Sequence, residues 1–182
     1  MKTIVTAIPS LRTFYKGQRT LEIGYPWLTF GAIMALEKIL IDSKGTFKIL
    51  EMGSGGSTLF FESRCRDLLS LEDDSEWAGT VLLHIKTQKT VLECRRLSAL
   101  LRIVKKQSDE SFDLVLADSA SGGHTYIRRQ RLMDAAIPKV KKGGWLVIDN
   151  YEHLKFDPKG WDVYTFDMFH YSGRGTKLCK KL

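Results

Sequence analysis

The stretch FKILEMGSGGSTLFFESRCRDLLSLEDD, residues 47–74, decides the fold of this chain. Its apolar run over residues 47–52 predicts a buried strand, and the small residues 53–56 predict a tight turn. Residues 57–66 favour a helix, and residues 68–71 predict a second strand that ends in three acidic residues. A strand, a glycine turn, a helix and another strand make a βαβ unit, whose two strands run parallel.

Five further segments have the pattern of strands. Residues 90–94, 112–117 and 145–148 predict three more core strands, and the continuous apolar run FDLVLA predicts a strand that is buried on both faces. Residues 161–169 and 176–182 alternate in polarity and are separated by a glycine-rich turn, which predicts a β-hairpin.

The segments between these strands have the pattern of helices. Apolar spacing predicts one helix after Pro26 and another over residues 126–140, and Ser75 is a candidate N-cap for a third. The fold class is therefore α/β: a doubly wound, seven-stranded, mainly parallel sheet with a C-terminal antiparallel hairpin. We expect a single domain over residues 25–182 after an N-terminal extension of residues 1–24.

Polar clusters follow four of the predicted strands. These clusters are residues 53–57, Glu72, Asp118 and Asp149. The carboxyl ends of parallel strands share one edge of the sheet, and ligands of such sheets bind at that edge where the strand order reverses. The sequence thus predicts one binding site built from these four clusters.

Composition limits the classes of protein to consider. The 182 residues are 43% hydrophobic and 27% charged, which is ordinary for a globular domain, and no apolar run is long enough to span a membrane. The cysteines Cys65, Cys94 and Cys179 are odd in number and form no CxxC pair, which favours free thiols in a cytoplasmic protein. A net charge of +7 permits a nucleic-acid partner without requiring one, because the basic residues are dispersed.

The glycine turn and the acids beside it indicate the class of ligand. Glycines after a strand let the backbone approach a ligand closely, and Glu72 suits the two hydroxyls of a ribose. A dinucleotide fingerprint, G-x-G-x-x-G, is matched by Gly53 and Gly55 but has Thr58 at its third glycine. Glu51 would repel a pyrophosphate, whereas it suits a ligand with an ammonium group such as S-adenosylmethionine (SAM).

At this point the sequence resembles the class I SAM-dependent methyltransferases. The glycine loop over 51–57, the acid-ended strand over 71–73, the fourth strand over 112–118 and the fifth over 142–149 occur in the order of that family. The terminal hairpin is similar to the family's antiparallel sixth and seventh strands. There is also some likeness to the metal-dependent O-methyltransferases.

The resemblance implies which residues would contact SAM. The first acid and the glycine loop would hold the methionine end, the second acid the ribose, and the residues after it the adenine. Trp77 is equally consistent with a packing role, and residues 25–29 either cover the cofactor or dock the helix that follows them. The implied cofactor contacts are Glu51, Gly53, Ser54, Gly55, Gly56, Ser57, Glu72, Asp73, Trp77 and Asp118.

A hydroxyl acceptor needs a group that removes its proton, or a metal that lowers its pKa. Asp118, Asp149 and Asn150 end neighbouring strands, and the resemblance implies that they could bind Mg²⁺ as in catechol-type enzymes. Those enzymes carry a lysine three residues after the first Asp, and this chain has Ser121 there. The catalytic candidates for removing the acceptor's proton are therefore Asp118 and His124. The alternatives are a SAM-pocket acid without metal, a strand-end turn at Asp149 and an exposed loop histidine.

These observations favour a cytoplasmic SAM-dependent methyltransferase that acts on a small-molecule acceptor at oxygen. A nucleic-acid methyltransferase and a non-catalytic SAM- or nucleotide-binding module are the alternatives, and a NAD-dependent oxidoreductase is disfavoured by Glu51 and Thr58. We expect no membrane partner, and the sequence permits a homo-oligomer.

Overall fold

The computed structural model describes residues 20–119, 125–167 and 175–182. Six α-helices and two short 3₁₀ segments lie in these ranges. The helices are α1 (Thr20–Ile23), α2 (Phe30–Asp42), α3 (Gly56–Glu62), α4 (Ser75–Leu82), α5 (Leu97–Lys106) and α6 (Thr125–Ala136), and the 3₁₀ segments are Ile137–Lys139 and Tyr151–His153.

Seven strands form one sheet in the order β3-β2-β1-β4-β5-β7-β6. The first five strands run parallel, and β7 pairs antiparallel with both β5 and β6. This confirms the predicted mainly parallel sheet with a C-terminal antiparallel hairpin. The strands are β1 (Lys48–Met52), β2 (Asp67–Glu72), β3 (Thr90–Cys94), β4 (Phe112–Ala117), β5 (Val140–Asp149), β6 (Trp161–Phe166) and β7 (Thr176–Lys181).

Helices cover both faces of the sheet because the central strands are apolar on both sides. Ile49 of β1 packs with α2 and α3 in one core cluster. Leu50, the next residue, packs with α5 and α6 in the other cluster, as the pleat of a strand requires. Among the described residues, no helix has both the length and the apolar character to cross a membrane.

The strand order reverses between β1 and β4. Helices on opposite faces diverge at this point and leave a crevice beyond the carboxyl ends of the two strands. The turn after β1 and the residues after β4 therefore lie at the predicted binding edge. The segment before α2 closes one side of it, because α1 contacts α3 and the carbonyl oxygens of Thr20 and Tyr25 lie against Gly56.

Two local predictions were wrong. The N-cap of α4 is Asp74 and not Ser75. The Asp74 carboxylate accepts hydrogen bonds from the backbone amides of Glu76 and Trp77 in the first turn of the helix. The helix was predicted to reach Val140, but α6 ends at Ala136 and a 3₁₀ turn that contains Pro138 follows it. Val140 belongs to the sheet, where it pairs with Phe112. The boundary placed at residue 24 stays a prediction.

Candidate cofactor-binding and active site

The glycine loop after β1 is pressed against the end of β4. Gly53 has φ +93°, and a Cβ there would lie 2.7 Å from both the carbonyl oxygen of Asp118 and the Cα of Ser119. Its amide donates to the carbonyl oxygen of Leu71 at 2.8 Å. A side chain would meet backbone on one side and strain the dihedral as well, so this position requires glycine. The loop is thereby fixed to the neighbouring strands on both sides.

Glu51 lies at the end of β1 with no exposed surface. Its Oε2 accepts hydrogen bonds from the hydroxyls of Thr58 at 2.7 Å and Ser70 at 2.6 Å. Within the described part of the chain, its Oε1 is buried and has no hydrogen-bond partner. An unpartnered carboxylate oxygen is costly to bury, and such an atom at a binding edge indicates a missing donor.

The burial of Glu51 also changes its protonation. Loss of solvation raises the pKa of this carboxyl from 4.5 to about 7, the hydroxyl donors around it partly oppose the change, and the negative charge of Glu72 adds to it. A bound cation would favour the ionised form, so the site is suited to a positively charged ligand group.

Thr58 connects the glycine loop to Glu51. Its hydroxyl accepts a hydrogen bond from the amide of Gly55 at 2.9 Å and donates to Glu51 Oε2. This is the position that a dinucleotide fingerprint gives to glycine. The residue that counted against a dinucleotide therefore also orients the acid, a role that the sequence analysis missed.

Glu72 braces the same loop. Its Oε2 accepts from the amide and the hydroxyl of Ser54, both at 2.9 Å, and its Oε1 accepts from the amides of Asp73 at 2.8 Å and Asp74 at 3.1 Å. Of these donors only the Ser54 hydroxyl can rotate away. Glu72 thus lies beside the glycine loop, and a ribose would have to share its oxygens with the loop.

Trp77 lies over the glycine loop. Its indole Nε1 donates to the carbonyl oxygen of Ser54 at 2.7 Å, and a Cβ on Gly55 would lie 3.6 Å from its ring. Asp73, next to Glu72, forms an ion pair with Arg128 at 3.0 Å. The predicted adenine-side residues therefore flank the loop, with one of them already paired to α6.

Arg129 of α6 joins the ends of β4 and β5. Its guanidinium is 2% exposed and donates to the carbonyl oxygens of Ser119 at 2.8 Å, Asp149 at 2.8 Å and Asp118 at 3.3 Å. It also donates to Asn150 Oδ1 at 3.3 Å and forms an ion pair with Asp118 Oδ1 at 3.2 Å. Asp118 and Asn150 thus both contact one arginine side chain, and their role as metal ligands stays a prediction.

Asp118 keeps some contact with solvent, since its side chain is 20% exposed. Burial and then the carboxylate of Asp149 raise its pKa well above the usual range, and Arg129 opposes this. Asp149 is itself buried and accepts a hydrogen bond from the hydroxyl of Thr176 at 2.9 Å. The protonated form is therefore favoured for Asp118, next to a second carboxyl group and a single guanidinium.

These contacts do not fit the predicted Mg²⁺ site. Asn150 Oδ1 and Asp118 Oδ1 both face the guanidinium, and one oxygen of Asp149 faces Thr176. In residues 20–119, 125–167 and 175–182, no cluster of three His, Cys, Asp or Glu side chains is arranged to hold a metal ion. The other catalytic candidate, His124, lies outside the described residues.

The apolar spacing of α6 indicates that Arg129 lies on the buried face of the helix. Apolar residues of α6 and the turn after it recur at Met133 and Ile137, and the same spacing continued backward reaches Arg129. A basic residue on the buried face of a helix must find oxygen partners. Because Arg129 stands in a basic run with Arg128 and Arg131, a solvent-exposed position was expected for it.

No protein-family model matches the chain, and no curated protein matches it. The O-methyltransferase of Bacillus cereus, solved in complex with SAH, matches with a TM-score of 0.63 over 98% of this chain and 94% of that one, at 11% identity. The rRNA methylase of Streptococcus thermophilus matches with a TM-score of 0.58 over 83% of this chain and 96% of that one, at 14% identity.

The chain has the class I methyltransferase fold. Another protein with this fold is the precorrin-8w decarboxylase of Methanobacterium thermoautotrophicum, which matches with a TM-score of 0.53 over 87% of this chain and 93% of that one, at 15% identity. Identities this low establish the class I methyltransferase fold and leave the acceptor undetermined.

Proposed function

We propose that this protein is a SAM-dependent methyltransferase that transfers a methyl group to a small-molecule acceptor, at oxygen. The observation that carries the proposal is the unpartnered Oε1 of Glu51, fully buried beside a glycine loop at the switch point of the sheet. A ligand whose end is an ammonium group would supply the missing donor, and an ammonium–carboxylate hydrogen bond is among the stronger ones in proteins.

The residues present fit the rest of SAM. The loop lies close against the β4 end and Trp77 because Gly53 and Gly55 carry no side chain, and Glu72, which braces the same loop, is proposed to accept from the ribose hydroxyls. Trp77 would flank the adenine. The residues proposed to hold the cofactor are Glu51, Gly53, Ser54, Gly55, Gly56, Ser57, Glu72, Asp73, Trp77 and Asp118.

SAM supplies a methyl group already activated by a sulfonium. The protein's part is therefore to hold the acceptor oxygen in line with that methyl and to accept its proton. Asp118 is the proposed base, since its side chain is partly exposed and its backbone contacts the glycine loop at Gly53. His124 is proposed as the alternative base. The three cysteines are all free, which fits the proposed cytoplasmic location.

The binding half of the proposal is tested by calorimetric titration. Wild-type protein should bind SAM and SAH and should not bind NAD. It should also prefer SAH over the analogue of SAH that lacks the amino group, and Glu51→Gln should lose that preference, because the variant removes the partner of the ammonium. Absence of SAM and SAH binding, or an equal preference in both proteins, overturns the proposal.

The transfer half is tested by SAH formation with a panel of phenols, catechols and sugars. Turnover with one of them supports the proposal, and SAM binding without turnover on any acceptor supports a non-catalytic SAM-binding module instead.

A nucleic-acid methyltransferase is the second candidate, favoured by the +7 charge and by exposed basic residues of α5 and the turn before it. RNA or DNA affinity that falls steeply with salt, together with methylated nucleic acid, would support it. Absence of RNA and DNA binding at low salt would exclude the nucleic-acid methyltransferase. The basic residues in question are Arg95, Arg96, Arg102, Lys105 and Lys106.

A further inference from the structure

In the part of the chain that the structure describes, the hydrogen-bond partners of Arg129 at the ends of β4 and β5 are oxygens. They comprise the carbonyl oxygens of Ser119, Asp149 and Asp118, the amide oxygen of Asn150 and one carboxylate oxygen of Asp118. Carboxylate, amide and carbonyl oxygens are also the ligands that a hard divalent cation takes from a protein. The guanidinium lies where such an ion would find its ligands.

We propose that Arg129 is a built-in cation that takes the place of a divalent metal at this site, and that it acts as a positioning residue for Asp118. The inference rests on the proposed function, because the role of Asp118 belongs to methyl transfer. It goes beyond that function in stating what neutralises the carboxyl cluster and in making the reaction independent of metal.

The guanidinium is suited to replace an ion permanently. It stays protonated at every physiological pH, and its planar fork of donors can satisfy several oxygens at once. A Mg²⁺ ion could take these oxygens only by displacing Arg129, which is 2% exposed. Displacement would leave a buried charge without partners, which is strongly destabilising.

The surroundings of Arg129 hold it in this place. Its guanidinium lies 5.8 Å from the ring centre of Tyr126, one turn earlier on α6. Four residues later, Met133 is completely buried in the core cluster beneath the sheet. Because the helix is anchored on this face, Arg129 fixes the direction of the Asp118 carboxyl beside the glycine loop.

Mn²⁺ binding tests the inference without any acceptor. Wild-type protein treated with EDTA and then freed of it should show no saturable Mn²⁺ binding by calorimetry or electron paramagnetic resonance. Arg129→Gln leaves two carboxyl groups and an amide without their cation, so it should bind Mn²⁺ saturably, with an affinity at least about tenfold above the detection limit set by the wild-type protein. Arg129→Lys, which keeps the charge, should stay close to wild type.

Arg131→Gln is the matched control, since Arg131 is an exposed residue of the same helix. It removes the same charge from the chain and should leave Mn²⁺ affinity unchanged. A gain in affinity confined to Arg129→Gln cannot come from a structural role alone, because loss of packing does not create a cation site.

Two results overturn the inference. One is saturable Mn²⁺ binding to wild-type protein that Asp118→Asn abolishes, a measurement that holds even if Arg129→Gln does not fold. The other is equal Mn²⁺ affinity in the Gln and Lys variants. A SAM titration in EDTA tests the proposed function separately: absence of SAM binding there would refute the proposed function, whereas Mn²⁺ binding by the wild-type protein would refute only the role of Arg129.

Discussion

Replacing Glu51 by glutamine should make the ligand-free protein more stable at alkaline pH. The side chain keeps its shape and can still accept from Ser70 and Thr58, but it can no longer ionise. In the wild type the buried carboxyl has a pKa of about 7 against an ordinary 4.5. That difference corresponds to a cost of at most about 3 kcal/mol when the group is charged.

The sign of the effect follows from proton linkage. Because the folded state binds the Glu51 proton more tightly than the unfolded state, the stabilisation is complete below pH 4.5 and is lost as the pH rises through about 7. Urea unfolding of wild type and variant should therefore give similar stabilities at about pH 4 and a gain for Glu51→Gln of about 1–3 kcal/mol at about pH 8.

The same substitution should weaken SAM binding. Loss of a charged hydrogen-bond partner costs about 1.5–3 kcal/mol, which is roughly a tenfold to hundredfold fall in affinity. Glu62→Gln is the control, since Glu62 is also buried but lies at the far end of α3, where it accepts from the amide of Lys86. The reasoning fails if Glu51→Gln shows no gain in stability between the two pH values, or if it binds SAM as tightly as the control does.

Three further predictions follow from contacts of the glycine loop. Gly53→Ala should lower the unfolding free energy measured in urea by about 2–4 kcal/mol, because the added Cβ meets the Asp118 carbonyl. The control Gly79→Ala, which has open space in α4, should raise the unfolding free energy by about 0.5–1 kcal/mol, and equal effects would contradict the contact. Thr58→Val should cost about 1–3 kcal/mol and raise the pKa of Glu51 further, measured by its carboxyl chemical shift, while Thr58→Ser keeps both values. SAM affinity should fall about tenfold per pH unit below about 7 as Glu51 takes up its proton, and a calorimetric series with no such slope would exclude pairing to this group.

Much of the fold could be predicted from the sequence because each core strand has a recognisable pattern within its own few residues. The apolar runs over Thr90–Cys94 and Phe112–Ala117 were predicted with the bounds that the structure has. The start of β5 could not be found this way, since Val140 continues the apolar spacing of the preceding helix. What separates the two is Pro138, which has no amide to continue a helix, and the pairing of Val140 with a distant strand.

The site was predicted unevenly for a similar reason. Residues that act through their backbone or their position after a strand, such as Gly53 and Glu72, follow from the order of elements alone. Thr58 and Arg129 act through side-chain contacts with residues on other elements, seven residues away for Thr58 and Glu51 and twenty for Arg129 and Asp149, and neither partner set can be read from local periodicity. Spacing could show that Arg129 faces inward, but only the fold shows which oxygens it meets.

The two acidic groups at the crevice differ in what neutralises them. The cation beside Asp118 belongs to the protein, since Arg129 is buried against it. For Glu51, the described residues supply hydroxyl donors to one oxygen and no donor to the other. A cationic ligand should therefore change the protonation of Glu51 and leave the ion pair of Asp118 intact. On the proposed function, this division would separate the end of the crevice that binds SAM from the end that receives the acceptor.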